Sequence, residues 1–260
     1  MKKFLKLFTI IVISTFIFTS NVKATPANTA FKDDVFYECI INTLNNDKIN
    51  NVTNRTTEYK VTDNELSQLT SLACEPVVLK NGINHGVVGP QVSDVTGLSK
   101  MTNLTKLYLA NNKLSTIDVS KNTKLTVLDI YANNLSKINL SKNTELTKLN
   151  ISNNNLSSID ISENIKLTTL DIYNNKLSSI GVSKNTELTE LNTANNSLSS
   201  IDVSKNTKLT IFKINNNKLS SIDISKNTEL TELNAANNSL SSINLPENTK
   251  LTKLDVAKNK

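Results

Sequence analysis

The stretch LTKLYLANNKLSTIDVSKNTK, residues 104–124, decides the fold. With substitutions it returns at Leu125, Leu146, Leu167, Leu188, Leu209 and Leu230, and it begins again at Leu251, always 21 residues on. Seven full units keep one register with no insertion. Within the first unit Leu107 and Leu109 are two residues apart, so in a strand both point to one face. Leu104, Leu114, Ile117 and Val119 complete an inward set that one coil cannot bury alone, so neighbouring coils must stack. Each apolar side chain fully buried in this way contributes about 1.5–3 kcal/mol. The strands then line up as a parallel sheet.

Each unit carries L-x-x-L-x-L-x-x-N-x-L, with other small or apolar residues at some positions, and this is the leucine-rich repeat pattern. The fold expected is an α/β-type solenoid, a right-handed coil with the parallel sheet on its concave face and a small helical cap at the N-terminal end. Two asparagine columns recur. Asn112 and its equivalents to Asn259 follow the strand, where an amide can satisfy turning backbone. Asn122 and its equivalents to Asn248 mark the turn back, where left-handed geometry is expected. Lys124, Glu145, Lys166, Glu187, Lys208, Glu229 and Lys250 alternate in sign, so each charge is expected to have opposite charges on both sides. Lys121, Lys142, Glu163, Lys184, Lys205, Lys226 and Glu247 form a more basic outer column.

The division expected is an export signal over 1–24, a cap region over 25–91 and the repeats over 92–260, the last one incomplete. Met1 to Lys6 is basic, Leu7 to Phe18 (LFTIIVISTFIF) is nearly all apolar, and Val22-Lys23-Ala24 suits a cleavage site. The apolar run is shorter than the ~20 residues that span a bilayer. No stable membrane segment is therefore expected after cleavage near Thr25. In the cap, Lys32 to Asn45 reads as an amphipathic helix capped by Asp33 or Asp34, with Val35, Phe36, Cys39, Ile40 and Leu44 on one face. Thr62-Asp63-Asn64-Glu65 is a capping box that opens a second helix. LTSLAC mimics a repeat strand, and residues 75–91, with Gly82, Gly86, Gly89 and Pro90, read as an inserted loop. Val92 to Asn103 rejoins the repeats. Just past the last strand the chain reaches Lys260, and an open end is expected there: fraying, end-to-end self-association, or a longer parent protein.

LTSLAC followed by VSDVTGLSKMTNLTKL and the IDVSKNTKLT units resembles the internalin family of Gram-positive surface proteins, over roughly residues 62–260. The resemblance implies an exported recognition module, often an adhesin, held at the cell wall by C-terminal anchors. Localisation is accordingly expected to be secreted or at the cell surface or wall. Within the family, a type with 21-residue repeats carries a ladder of strand cysteines. Here those positions hold Leu109, Ile130, Ile151, Ile172, Thr193, Ile214 and Ala235.

Composition excludes several classes of function. The formal charge is +6, but four lysines and no acids stand in the first 24 residues; beyond them 25 basic residues face 23 acidic ones, which gives no footprint for nucleic acid. His85 is the sole histidine, so neither a catalytic triad nor a His-based metal site is expected. Asp118, Asp160, Asp202 and Asp223 recur, but Asn139, Gly181 and Asn244 interrupt them, which argues against calcium. No cofactor is expected. Cys39 and Cys74, two cysteines in an exported cap, are expected to pair. The alternative is a leftover ladder thiol at Cys74 and a small apolar residue at Cys39.

The leading reading is a binding module that recognises a protein or carbohydrate, on a host or neighbouring cell surface, with its concave sheet. A secreted enzyme inhibitor would use the same face. The alternative is an envelope-associated protein that contacts anionic wall polymers through its lysines. Outward positions on the sheet place Tyr108, Asp129, Tyr131, Lys148, Asp171 and Tyr173 as the ligand-binding residues. Tyr131 and Tyr173 share a column two coils apart, about 10 Å at the usual strand spacing. Exposed tyrosines on a rigid sheet offer contact area at low entropic cost.

Overall fold

The computed structural model describes residues 31–81, 84–245 and 248–260. The expected export segment, Gly82 and Glu247 lie outside the described residues. Among the described residues the helices α1 (Asp34–Asn46) and α2 (Asp63–Gln68) come first, and β1 (Ser71–Ala73) follows. Next come β2 (Val77–Asn81) and β3 (Asn84–Val88), and then one short strand per repeat. These are β4 (Lys106–Tyr108), β5 (Val127–Asp129), β6 (Lys148–Asn150), β7 (Thr169–Asp171), β8 (Glu190–Asn192), β9 (Ile211–Lys213), β10 (Glu232–Asn234) and β11 (Lys253–Asp255).

A nine-stranded parallel sheet results, in the order β1-β4-β5-β6-β7-β8-β9-β10-β11. The register is set by the repeat: Leu72 lies beside Leu107, Leu107 beside Leu128, and Leu128 beside Leu149. A one-residue slip would turn these leucines outward, so the 21-residue period and the buried face specify each other. The inner side chains form one continuous core running from Phe31 in the cap to Leu240. The strands are only three residues long, and three ladders of polar side chains supplement their pairing.

The first ladder is the Asn112 column. The Asn154 Oδ1 accepts the Leu135 N–H of the preceding coil at 2.9 Å, and its Nδ2 donates to the carbonyls of Ile130, Ile151 and Ser152. The second is the Asn122 column, in which the Asn164 Nδ2 donates to the carbonyls of Leu140 and Asn143. The third was not anticipated from the sequence: Thr126, Thr147, Thr168 and their equivalents each donate a hydroxyl to the threonine carbonyl one coil back, at 3.0–3.1 Å for these three.

Three expectations need correction. Left-handed backbone is not found in the Asn122 column but at Asn111, Ala132, Asn153, Asn174, Asn195, Asn216, Asn237 and Lys258, one residue before the other asparagine column. The chain makes its sharp bend on leaving the strand, and Asn tolerates that geometry best among residues with a side chain. The Asn122 column is instead fully buried from Asn122 to Asn227, acting as a backbone-binding amide with an unpartnered Oδ1 in every coil. The alternating charges do not form a continuous ladder. Lys166 reaches back to Glu145, Lys208 to Glu187 and Lys250 to Glu229, each at 2.6 Å, whereas Lys124 donates to Asn103. A lysine that folds back over its acidic neighbour leaves its other side to water. Residues 75–91 are not a plain loop: β2 and β3 pair antiparallel from Val77 with Val88 to Asn81 with Asn84. The valine pairs Val77-Val78 and Val87-Val88 on either side of a glycine-bearing stretch carried that signal.

The cap is built as its motifs indicate. Asp33 caps α1 by accepting the Phe36 N–H, and its other oxygen accepts the Ser93 and Asp94 N–H groups, which ties the cap to the first coil. Thr62 and Glu65 form the capping box of α2. Arg55 and Glu65 are an ion pair at 2.9 Å with almost no solvent access. Arg55 also donates to the carbonyls of Leu44, Ile49 and Val52, while Tyr59 donates to Glu65. Burial opposes the Glu65 charge, but hydrogen bonds from Thr62, Tyr59 and Arg55 outweigh it and hold the carboxyl below the ordinary range. The sulfurs of Cys39 and Cys74 are joined, with Cα atoms 5.7 Å apart, so that a disulfide links α1 to the residue that follows β1.

Candidate functional site

Strand alternation leaves three outward columns on the sheet. The first holds Lys106, Val127, Lys148, Thr169, Glu190, Ile211, Glu232 and Lys253, and the second Tyr108, Asp129, Asn150, Asp171, Asn192, Lys213, Asn234 and Asp255. The third begins Ala110, Tyr131, Ser152, Tyr173, Ala194. Tyr108, Tyr131 and Tyr173 are all half-buried. Between and beside the last two, Ala110, Ser152 and Ala194 are buried at 5%, 3% and 2% exposure, so the two rings stand proud of a floor of small residues. All six residues expected to bind ligand share the N-terminal half of this face; Lys148 is exposed, and Asp129 and Asp171 are half-buried.

The two aspartates are held alike. One oxygen of Asp129 accepts the Tyr131 N–H at 3.1 Å and the other accepts the Asn150 amide at 3.2 Å. Asp171 accepts the Tyr173 N–H at 3.0 Å. Each tyrosine is thus anchored through its backbone by the acid two residues before it. Burial against the sheet raises the Asp129 pKa above the ordinary value, and hydrogen bonds from Tyr131 and Asn150 restrain the rise. Asp171 is raised likewise by burial first, its hydrogen bonds to Tyr173 and Asn192 opposing, with smaller contributions from Asp129 upward and Lys213 downward.

Glu75 belongs to this group although the sequence reading left it out. The pairing of Leu72 with Leu107 puts Glu75 level with Ala110, at the head of the tyrosine column. Its pKa is raised by lost solvation and then by the Asp129 charge, while the Ala110 N–H lowers it. Counting 35 residues from Glu75 to Ala110 would have located it. Beside Glu75 a small cleft of about 60 Å³, open to solvent, lies between α1 and the root of the β2–β3 hairpin. Val35, Pro76, Pro90, Val92 and the Cys39–Cys74 disulfide form its apolar wall. Among the described residues no three His, Cys, Asp or Glu side chains converge as metal ligands. No described helix is long and apolar enough to cross a membrane.

Stacked coils, strand register and asparagine ladders together define a leucine-rich repeat protein, and the profile of that family (Leucine Rich repeats, 2 copies) matches residues 102–143 and 144–185. Its repeats and helical cap are of the internalin type. The functional domain of InlJ from Listeria monocytogenes, which includes a cysteine ladder, is 31% identical over 90% of this chain and 52% of that one, with a TM-score of 0.73. The chain therefore spans about half of that domain. Internalin C2 from Listeria monocytogenes superimposes with a TM-score of 0.72 at 20% identity, over 88% of this chain and 97% of that one. The plant peptide hormone receptor RGFR1, in complex with RGF2, shares 29% identity over 63% of this chain and 30% of that one, at a TM-score of 0.55. Comparison with curated protein sequences gave no significant match. The fold is commonly a protein-binding module.

Proposed function

We propose that this chain is an exported binding module that holds a protein ligand on the N-terminal half of its concave sheet, through Tyr108, Tyr131 and Tyr173 with Lys148, Asp129 and Asp171 beside them. The observation that carries the reading is the pair of tyrosines raised above buried Ala110, Ser152 and Ala194. Rigid aromatic side chains with polar tips, fixed on a sheet, are the usual anchors of an interface. A solenoid receptor solved with its peptide hormone bound supports a peptide or protein ligand. Export through residues 1–24, with the cap over 25–91 and the repeats over 92–260, belongs to the same reading. The proteins it resembles are internalins, a family exported to the bacterial surface.

The envelope-binding alternative has less support. Lys121, Lys205 and Lys226 each stand by an aspartate of their own turn and Lys184 by Asp160 of the coil before, while Lys142 stands beside Asn139. Asp118 is held below the ordinary range by Ser120 and then Lys121, Asp202 by Ser204 and then Lys205, and Asp223 by Ser225 and then Lys226. Apart from Lys142, that column is a neutralised, solvated face. The test is affinity capture of surface proteins from candidate target cells by the purified protein, with Tyr131→Ala and Tyr173→Ala alongside. A partner captured equally by the double variant refutes the site, and binding only to wall polymers that disappears in salt favours the alternative.

A further inference from the structure

Three carboxylates, Glu75, Asp129 and Asp171, line the head of the sheet, and none of them is held in an ion pair among the described residues. Among those residues the one cation that acts on any of them is Lys213, on Asp171. The buried carboxylate of the cap, Glu65, has Arg55 as its partner, and Glu145, Glu187 and Glu229 each have a lysine. Even at this face, Glu232 lies between Lys213 and Lys253. Lys106 and Lys148 stand in the neighbouring outward column, but among the described residues neither pairs with the three acids. Glu75 also lines the cleft at the disulfide, so the acidic strip and the apolar cleft are one continuous surface. Among the described residues these carboxylates do not converge on one point as metal ligands would. Spread over coils about 4.8 Å apart, they match charges spread along a chain.

We infer that the ligand is a cationic peptide segment that sets an apolar side chain into the cleft beside the Cys39–Cys74 disulfide and lays its lysines or arginines along Glu75, Asp129 and Asp171. Neutral glycans would leave the three charges uncompensated, and an acidic segment would be repelled. In an extended peptide, successive side chains on one face are about 6.6 Å apart. Long basic side chains therefore reach Asp129 and Asp171, about 10 Å from one another, without strain. The inference rests on the concave-face reading above and narrows it to one charge class.

Three fluorescein-labelled octapeptides test it by anisotropy with the purified protein. One carries leucine at position 1, lysine at positions 3, 5 and 7 and serine elsewhere, so that leucine and lysines share one face; one has glutamate in place of each lysine, and one has serine in place of the leucine. The lysine–leucine peptide is expected to bind at least about tenfold more tightly than either of the others at low salt. Glu75→Gln, Asp129→Asn and Asp171→Asn together should abolish the preference over the glutamate peptide. The two Asp→Asn changes introduce what Asn150 and Asn192 already supply in that column, and Glu75 is exposed, so the triple variant is expected to keep the parent's far-UV circular dichroism. Unchanged affinity in the triple variant overturns the inference, as does no binding of the lysine–leucine peptide at about 1 mM. Equal binding of the serine peptide removes the cleft from it. If Tyr131→Ala and Tyr173→Ala weaken the lysine and glutamate peptides alike while the carboxylate variants change nothing, the concave face stands and the cationic ligand falls.

Discussion

Asn154 and Asn164 occupy columns that are equally regular in the repeat, but they should differ sharply when cut back to alanine. Burial ranks Asn164 first, at 0% exposure against 7% for Asn154. Hydrogen bonding reverses the order. Removing the Asn154 side chain leaves the buried Leu135 N–H without its partner and deletes the donations to three carbonyls. Those carbonyls keep other donors, namely Asn133, Asn175 and the Ala132 N–H. The orphaned N–H costs about 1–3 kcal/mol and each lost bond about 0.5–1.5 kcal/mol, with two amide hydrogens shared among three acceptors, so about 3 kcal/mol is expected in all. At Asn164 the carbonyls of Leu140 and Asn143 keep the Asn143 and Leu146 N–H groups. The deletion also removes an Oδ1 that is buried and unpartnered. Loss of two bonds, offset by relief of that oxygen, leaves about 1 kcal/mol. A similar small void arises at both sites. Urea unfolding followed by far-UV circular dichroism measures the two, with an unchanged m-value to show that the same unit unfolds. A destabilisation in Asn164→Ala equal to or larger than that in Asn154→Ala would refute the reasoning.

Arg55→Met should destabilise the cap by about 3–5 kcal/mol, because it strands Glu65 as a buried charge; Arg55→Met with Glu65→Leu should recover much of that loss in the same unfolding assay. Glu65, whose pKa is depressed, contributes stability above its unfolded value that disappears as pH falls through the lower folded value. Asp129 and Asp171 act in the opposite sense, since their raised values mean the folded state binds protons first, so stability from these two rises as pH falls through the folded values towards the unfolded one. Asp129→Asn with Asp171→Asn should therefore be more stable than the parent at pH 7 and lose that advantage in acid; a less stable double variant at pH 7 contradicts the burial argument. Exported protein is expected to show no alkylatable thiol before reduction, and Cys39→Ser with Cys74→Ser should cost about 3–4 kcal/mol for a 35-residue separation. Two labelled thiols by intact mass would refute the pairing.

The repeat made the solenoid legible because a strict period fixes both register and face. Leu107 could only be inward, and Tyr108 only outward. The capping box at Thr62 and the helix at Val35 were likewise written in local pattern. What escaped was set by contacts between coils. The left-handed bend at Asn111 and the buried amide of Asn122 look alike in sequence, since both are asparagines near turns, and only the direction of their partners separates them. The direction in which Lys166 leans depends on rotamers that no pattern records. Glu75 was hidden because residues 75–91 interrupt the period just where its column begins.

The asparagine ladder has a polarity with consequences for synthesis. Asn154 covers the Leu135 N–H nineteen residues before it, Asn175 covers that of Leu156, and Asn196 that of Leu177. Each coil is thus finished by its successor and never by itself. Whichever way the chain emerges, the cap comes first, and every following coil then has a templated surface waiting for it, with one dangling amide hydrogen to mark the place. The order of growth is written into the side chains: a coil laid down out of turn would find its Asn facing no donor. Such a chain is suited to crystallise along its own length as it emerges, one turn at a time.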